Sequence, residues 1–267
     1  NAVLSNFPKP ADAYVALRKS LSNSKKTDGS DLALFYASNS SVSFAHLIDE
    51  FKVNYPKAII VDQDSNYSNN RKVALSNIAN SPVDCVYDFM NANVILAVDS
   101  DFMGIESDSV KNARQFAEKR KVVDKNSLMN RLYSVESNFS TTGTMADHHY
   151  SLRSGRMGEF LLGIAAELTA FGVTFSAEIN DVLKNKRTYP ESLTKWLKAC
   201  AKDLYQNKGS SLIIVGDRQP VWVHSLALSI NLSLGSVGKT VSLIPDVTKP
   251  KAVDNYSNLV FALQKGY

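Results

Sequence analysis

Apolar positions along this chain alternate between compact runs and stretches with helical spacing. The compact runs predict strands at Leu32–Ala37, Ala58–Val61, Asn93–Val98, Leu132–Val135, Leu212–Val215 and Thr240–Ile244. Helical spacing predicts helices at Asp12–Leu21, Val42–Tyr55, Lys72–Ala79, Asp108–Glu118, Glu159–Phe171, Glu191–Tyr205, Val221–Leu234 and Tyr256–Lys265, with a short one at Ser176–Leu183. Ser41 or Ser43 suits the start of the Val42 helix, Pro56 ends it, and Pro220 suits the first turn of the Val221 helix. Asp62–Asn70 reads as a polar loop. Strands alternating with helices imply an α/β fold. Its mostly parallel, Rossmann-like sheet is covered by helices on both faces and built with right-handed crossovers. No linker-like break separates two cores, so residues 1–267 read as a single domain.

Composition changes this picture little. The 267 residues are 44% hydrophobic and 21% charged, ordinary for a globular chain with a sizeable core. No apolar run is long enough to span a bilayer, so no direct membrane insertion is expected. Net charge is +4. The clusters at Lys25-Lys26, Lys119-Arg120-Lys121 and Lys184–Arg187 lack aromatic interleaving and read as solvated surface, not a nucleic-acid footprint. Cys85 and Cys200 fit no ligand spacing and read as buried free thiols, so this chain alone holds neither an iron–sulfur cluster nor structural zinc. The start at Asn1-Ala2, and the end just past a helical pattern, lead to the expectation of a piece excised from a larger multidomain subunit.

The most informative stretch is Asn130–Met157, where a strand runs into a hydroxyl-rich loop carrying Glu136, Asp147, His148, His149 and Arg153. Strand ends are where open α/β sheets place ligands. The strand ends Glu136-Ser137-Asn138; Thr141, Thr142, Ala146 and Asp147 follow, and then the turn Leu152-Arg153-Ser154-Gly155-Arg156-Met157. This wording resembles the molybdopterin oxidoreductase family. It looks most like the molybdopterin-oxidoreductase-like iron–sulfur subunit of the bacterial quinol-oxidising alternative complex III.

The resemblance implies where a molybdopterin guanine dinucleotide would lie. Asp99 and Asp101 fall where the family carries a Gly and an Asn, flanking Ser100. Asn138 falls where it carries an Arg, and Arg156 and Met157 depart from its turn. A carboxylate near a diphosphate costs on the order of 1–4 kcal/mol at high to intermediate effective dielectric. Asp99 and Asp101 read more readily as caps of the following loop or helix than as ligands, and Glu136 reads equally as a ligand or as a carboxylate that ties down backbone amides. The cofactor-facing positions by resemblance are thus Asp99, Ser100, Asp101, Glu136, Ser137, Thr142, Asp147, Gly155, Gly216 and Gln219. Gly216 precedes a helix N-terminus, a position suited to anions, but Asp217 beside it opposes a phosphate.

Other chemistry is weakly signalled. Asp147-His148-His149 is short of ligands for a metal, with only His46 and His224 elsewhere, and His148 reads as ordering the loop beside Asp147. Gly235–Thr240 is P-loop-like in composition, but helix and strand stand in the wrong order around it. There is no nucleophile elbow.

The resemblance therefore implies a non-catalytic scaffold domain of a respiratory electron-transfer subunit. The parent would be an oxidoreductase that passes electrons from quinol through iron–sulfur clusters outside this chain. Its partners would be the parent's other domains and the subunits of a membrane respiratory complex, on the periplasmic side of the bacterial inner membrane. The alternative is a domain of an active molybdopterin oxidoreductase that grips one guanosine arm of the cofactor. A free-standing nucleotide-binding enzyme is a third reading.

Overall fold

The computed structural model describes residues 10–37, 39–62, 69–185, 187–248 and 253–265. Most of the expected loop Asp62–Asn70, and Pro8 and Gly266-Tyr267, lie outside them. Chain contacts divide the molecule into two compact units, one from residues 1–67 and 246–267, the other from 68–245.

The first unit is a small βαβ arrangement. Strand β1 (Ala33–Tyr36) pairs in parallel with β2 (Ile59–Asp62), with Ala33 opposite Ile59, and helix α2 (Val42–Asn54) connects them. Of the two candidate caps, Ser41 serves: its side chain accepts the Phe44 backbone N–H. Helices α1 (Pro10–Ser24) and α10 (Tyr256–Gln264) complete the unit. Asp254 ties its two chain segments together by accepting from the Ile60 N–H at 2.9 Å and from Lys52 Nζ at 3.2 Å.

The second unit runs α3 (Asn70–Ala79), β3 (Val83–Tyr87), β4 (Val94–Val98), α4 (Ser109–Lys119), β5 (Arg131–Glu136), α5 (Thr141–Thr144), β6 (His148–Ser151) and α6 (Met157–Ala170). It continues with α7 (Ala177–Leu183), α8 (Glu191–Gln206), β7 (Ser211–Val215), α9 (Val221–Ser233) and β8 (Val241–Pro245). Four strands form a parallel sheet in the order β6-β5-β4-β7. All five residues of β4 and of β7 are buried, as expected of central parallel strands covered on both faces. Period-two alternation splits them between two cores. Val94, Leu96 and Val98 pack with α6, α8 and α9, whereas Ile95 and Ala97 pack with Phe116 of α4 and Leu75 of α3. The α/β, mostly parallel, helix-covered fold is therefore as the pattern implied.

Two elements differ from the pattern reading. Val83–Tyr87, left unassigned in the sequence, pairs antiparallel with β8, Cys85 opposite Leu243. The stretch after Glu136, read as loop through to Met157, contains β6, which adds to β5 with Tyr133 opposite His148. His-His-Tyr-Ser is polar because β6 is an edge strand with one neighbour, so it carries no apolar run to detect.

Candidate functional site

The strand order reverses beside β4: β5 and β6 lie to one side of it, and β7, reached only after α8, lies to the other. The crevice beyond the carboxyl ends of β4 and β7 is therefore a topological switch point, where open α/β sheets take ligands. Asp99 to Asp101 leave β4 there, and Gly216 to Gln219 leave β7. The two strand ends press together. A Cβ on Gly216 would lie 1.9 Å from the Asp99 carbonyl oxygen, so only glycine fits. Asp99 itself holds a left-handed backbone, φ +53°, which costs most side chains about 1–2 kcal/mol and is tolerated best by Asn and Asp.

The Asp99 carboxylate is the hub of this crevice. Its Oδ2 accepts from Gln219 Nε2 at 2.7 Å and from the Ser154 hydroxyl. Its Oδ1 accepts from the Ser137 hydroxyl at 3.1 Å and the Ser137 N–H at 3.2 Å. Gln219 also donates to Ser154 Oγ at 2.8 Å and to the Ser154 carbonyl at 3.2 Å. One side chain thus ties together the ends of β4, β5 and β7 and the turn that opens α6. Four donors converge on it, as donors would on a bound anion.

The other acids behave in the same way. Asp101 Oδ1 accepts the N–H and the hydroxyl of buried Thr142, each at 3.0 Å. Buried Glu136 accepts from the Ser140 hydroxyl at 2.6 Å and the Ser140 N–H at 3.0 Å, and lies 3.1 Å from His149 Nε2. Buried Ser100 donates to Glu106 at 2.6 Å. Asp147 is chelated by Arg120 at 2.7 and 2.9 Å and accepts the Leu132 N–H at 2.8 Å. The Arg120 hydrogen bonds hold its carboxyl below the usual range, against some burial. The ordering partner of Asp147 is therefore Arg120, 27 residues earlier, rather than the adjacent His148.

Of the remaining sequence candidates, a Cβ on Gly155 would meet open space, and Asn138 is exposed. Arg156 pairs with Glu159 at 2.9 Å, and Met157 is wholly buried in the core. His148 and His149, on successive positions of β6, face opposite ways. The first stacks on Tyr133 at 4.6 Å and the second meets Glu136, so they share no ligand. Among the described residues no group of three or more His, Cys, Asp or Glu is placed to hold a metal ion.

A second charged cluster adjoins the crevice and was not legible in the sequence. Arg71 of α3 reaches Asp217 at 3.1 Å and Asp84 at 3.3 Å. Burial works against its charge, yet the Asp217 and Asp84 carboxylates beside it keep the guanidinium charged, above its ordinary range. Burial raises Asp217, with Arg71 opposing. Burial also pushes Glu106 up to about 7, against the Ser100 hydrogen bond. Burial, and then Arg71, depress His224 to about 4, so this buried imidazole is neutral. No local spacing connects these residues; only the packing of α3 on α9 and the β3–β8 pairing bring them together.

The crevice thus presents carboxylates whose donors come from the protein itself. A guanosine diphosphate there would meet the Asp99 carboxylate, while the close approach at Gly216 is occupied by the Asp99 carbonyl. These residues do not fit the diphosphate arm of a molybdopterin cofactor.

No family model matches this chain, and no curated protein matches it. Among solved structures it is similar to acetylene hydratase from Pelobacter acetylenicus, with a TM-score of 0.59 and 12% sequence identity. The match covers 88% of this chain and 35% of that one, so the chain spans about a third of the neighbour's length. At this identity the likeness is one of fold alone.

Proposed function

We propose that this chain is a non-catalytic, molybdopterin-oxidoreductase-like scaffold domain, whose parent is a respiratory electron-transfer subunit. The observation that carries the reading is Asp99. At the switch point, where a relative would receive a doubly anionic diphosphate, this chain supplies its own anion and satisfies it with Ser137, Ser154 and Gln219. Removing such a carboxylate from its donors to admit a ligand would cost their hydrogen bonds and add like-charge repulsion. The fold shared with acetylene hydratase and the residue wording of Asn130–Met157 support the family half of the proposal. On the same resemblance, the parent passes electrons from quinol through iron–sulfur clusters outside this chain. It works on the periplasmic side of the bacterial inner membrane, docked to the subunits of a membrane complex.

The test is metal and pterin analysis of the purified parent protein. Molybdenum below one-tenth of the protein's molar amount, with iron present, supports the scaffold. Stoichiometric molybdenum and pterin overturn it. One feature favours the alternative, a domain gripping a guanosine arm of the cofactor: residue 99, where the family carries a glycine, keeps a left-handed backbone. Stoichiometric pterin would select that alternative.

A further inference from the structure

An apolar concavity lies on the helical face of the second unit. It has a volume of about 820 Å³ and is bounded by α3, α6, α7 and α9. Ligand pockets for small molecules run from roughly 300 to 1,000 Å³, so this is the size of a small-molecule site. Its walls are apolar: Leu162, Ile179, Val182, Trp222 and Leu226 line it.

The site is shaped around Trp222. Gly158, in the first turn of α6, allows the indole to lie against that helix; a Cβ there would come within 1.8 Å of Trp222 Cη2. The tryptophan nevertheless keeps 52% of its surface exposed, and Val182 across the groove keeps 42%. Large apolar side chains with that much open surface, grouped in a concavity, are the mark of a binding surface.

Two polar groups of the lining already spend a proton within the protein. Ser229 spends its hydroxyl proton on the Ser225 carbonyl at 2.9 Å, leaving its lone pairs to the groove. Asn70 spends a side-chain N–H on the Gln219 carbonyl at 2.9 Å. Glu178 is the one charged residue lining the groove, and no ion pair to it occurs among the described residues. The Ser176 hydroxyl holds its carboxyl below the ordinary range, keeping it ionised. Among the described residues no Lys, Arg or His lines the groove.

We infer that this groove binds a small amphiphilic amine: an apolar body against Trp222, Leu226 and Val182, with a cationic head toward Glu178. An exposed indole adds attraction for a cation. The site is separate from the Asp99 crevice and does not depend on the cofactor reading.

Three probes with one body and three heads test this: decyltrimethylammonium, decanol and decyl sulfate, each below its micelle concentration. Binding is followed by calorimetry and by tryptophan emission. The expected order is ammonium, alcohol, sulfate, with ammonium about 5-fold tighter than sulfate, the scale set by one exposed carboxylate attracting one head and repelling the other. Glu178→Gln should bring the two charged probes within 2-fold of each other. Val182→Lys, at an exposed position that leaves the core intact, should reverse their order. Ser229→Trp should fill the groove and abolish all three, with circular dichroism reporting that the fold is retained. Equal affinity for all heads, no saturable binding, or a concentration-dependent dimer that excludes the probes would overturn the inference.

Discussion

Replacing Asp99 by glycine sets two effects of known sign against each other. The change removes the acceptor for Ser137, Ser154 and Gln219. Hydrogen bonds to a charged group are worth about 1.5–3 kcal/mol each, less where water can take over. The Ser137 contacts are exposed and lose little, whereas Gln219 is buried and Ser154 is partly so. Gln219 keeps its bonds to Ser154, which limits the loss to about 2–4 kcal/mol. Against this, glycine relieves the left-handed backbone at φ +53° by about 1 kcal/mol. The net expectation is a destabilisation of about 2 kcal/mol. Both tryptophans, Trp196 and Trp222, lie in the 68–245 unit, so their emission during urea denaturation reports that unit. With a slope of about 2 kcal/mol per molar urea, the midpoint should fall by about 1 M. Asp99→Asn tolerates the same backbone and keeps one acceptor oxygen, so it should lose about half as much. If Asp99→Gly is as stable as the original chain, the carboxylate does not hold the loops together and the scaffold argument fails.

Gly216→Ala should destabilise more sharply, by about 2–4 kcal/mol, because the new methyl meets the Asp99 carbonyl of the backbone rather than a movable side chain; thermal melts check this. Burial raises Glu106 to about 7, so the folded state holds a proton that the unfolded chain releases near the ordinary glutamate value of 4.5. Stability from this group is fully present below pH ~4.5 and is lost as pH climbs through about 7. Urea titrations between those limits should show the decline, and Glu106→Gln should flatten it; an unchanged slope would count against a buried proton there. Asp147→Asn leaves Arg120 and the Leu132 N–H without their anion and should lower stability by about 1–2 kcal/mol, seen in the same titrations. Millimolar GDP should leave the melting temperature unchanged, whereas tight binding would raise it by several degrees.

Much of the fold was legible because its causes are local. The apolar runs at Val94–Val98 and Ser211–Val215 are continuous, as strands buried on both faces must be, and helical spacing located α4, α6, α8 and α9. Two strands were not legible. β6 is a polar edge, and β3 exists because β8 pairs with it across the fold. The candidate site divides in the same way. The resemblance, with strand-end position beside it, singled out Asp99, Asp101, Glu136, Gly216 and Gln219; residues that leave a parallel strand gather at its carboxyl edge.

What those residues do could not be read from the chain alone. Asp99 meets Gln219 across 120 positions, and Arg71 meets Asp217 across 146. Sequence spacing carries no information about partners that distant; the crossovers that set strand order bring them together. The sequence determined that acids would stand at the switch point. The tertiary structure decided that their donors would come from within, because only the folded sheet lays four loop ends side by side and lets one carboxylate satisfy them all.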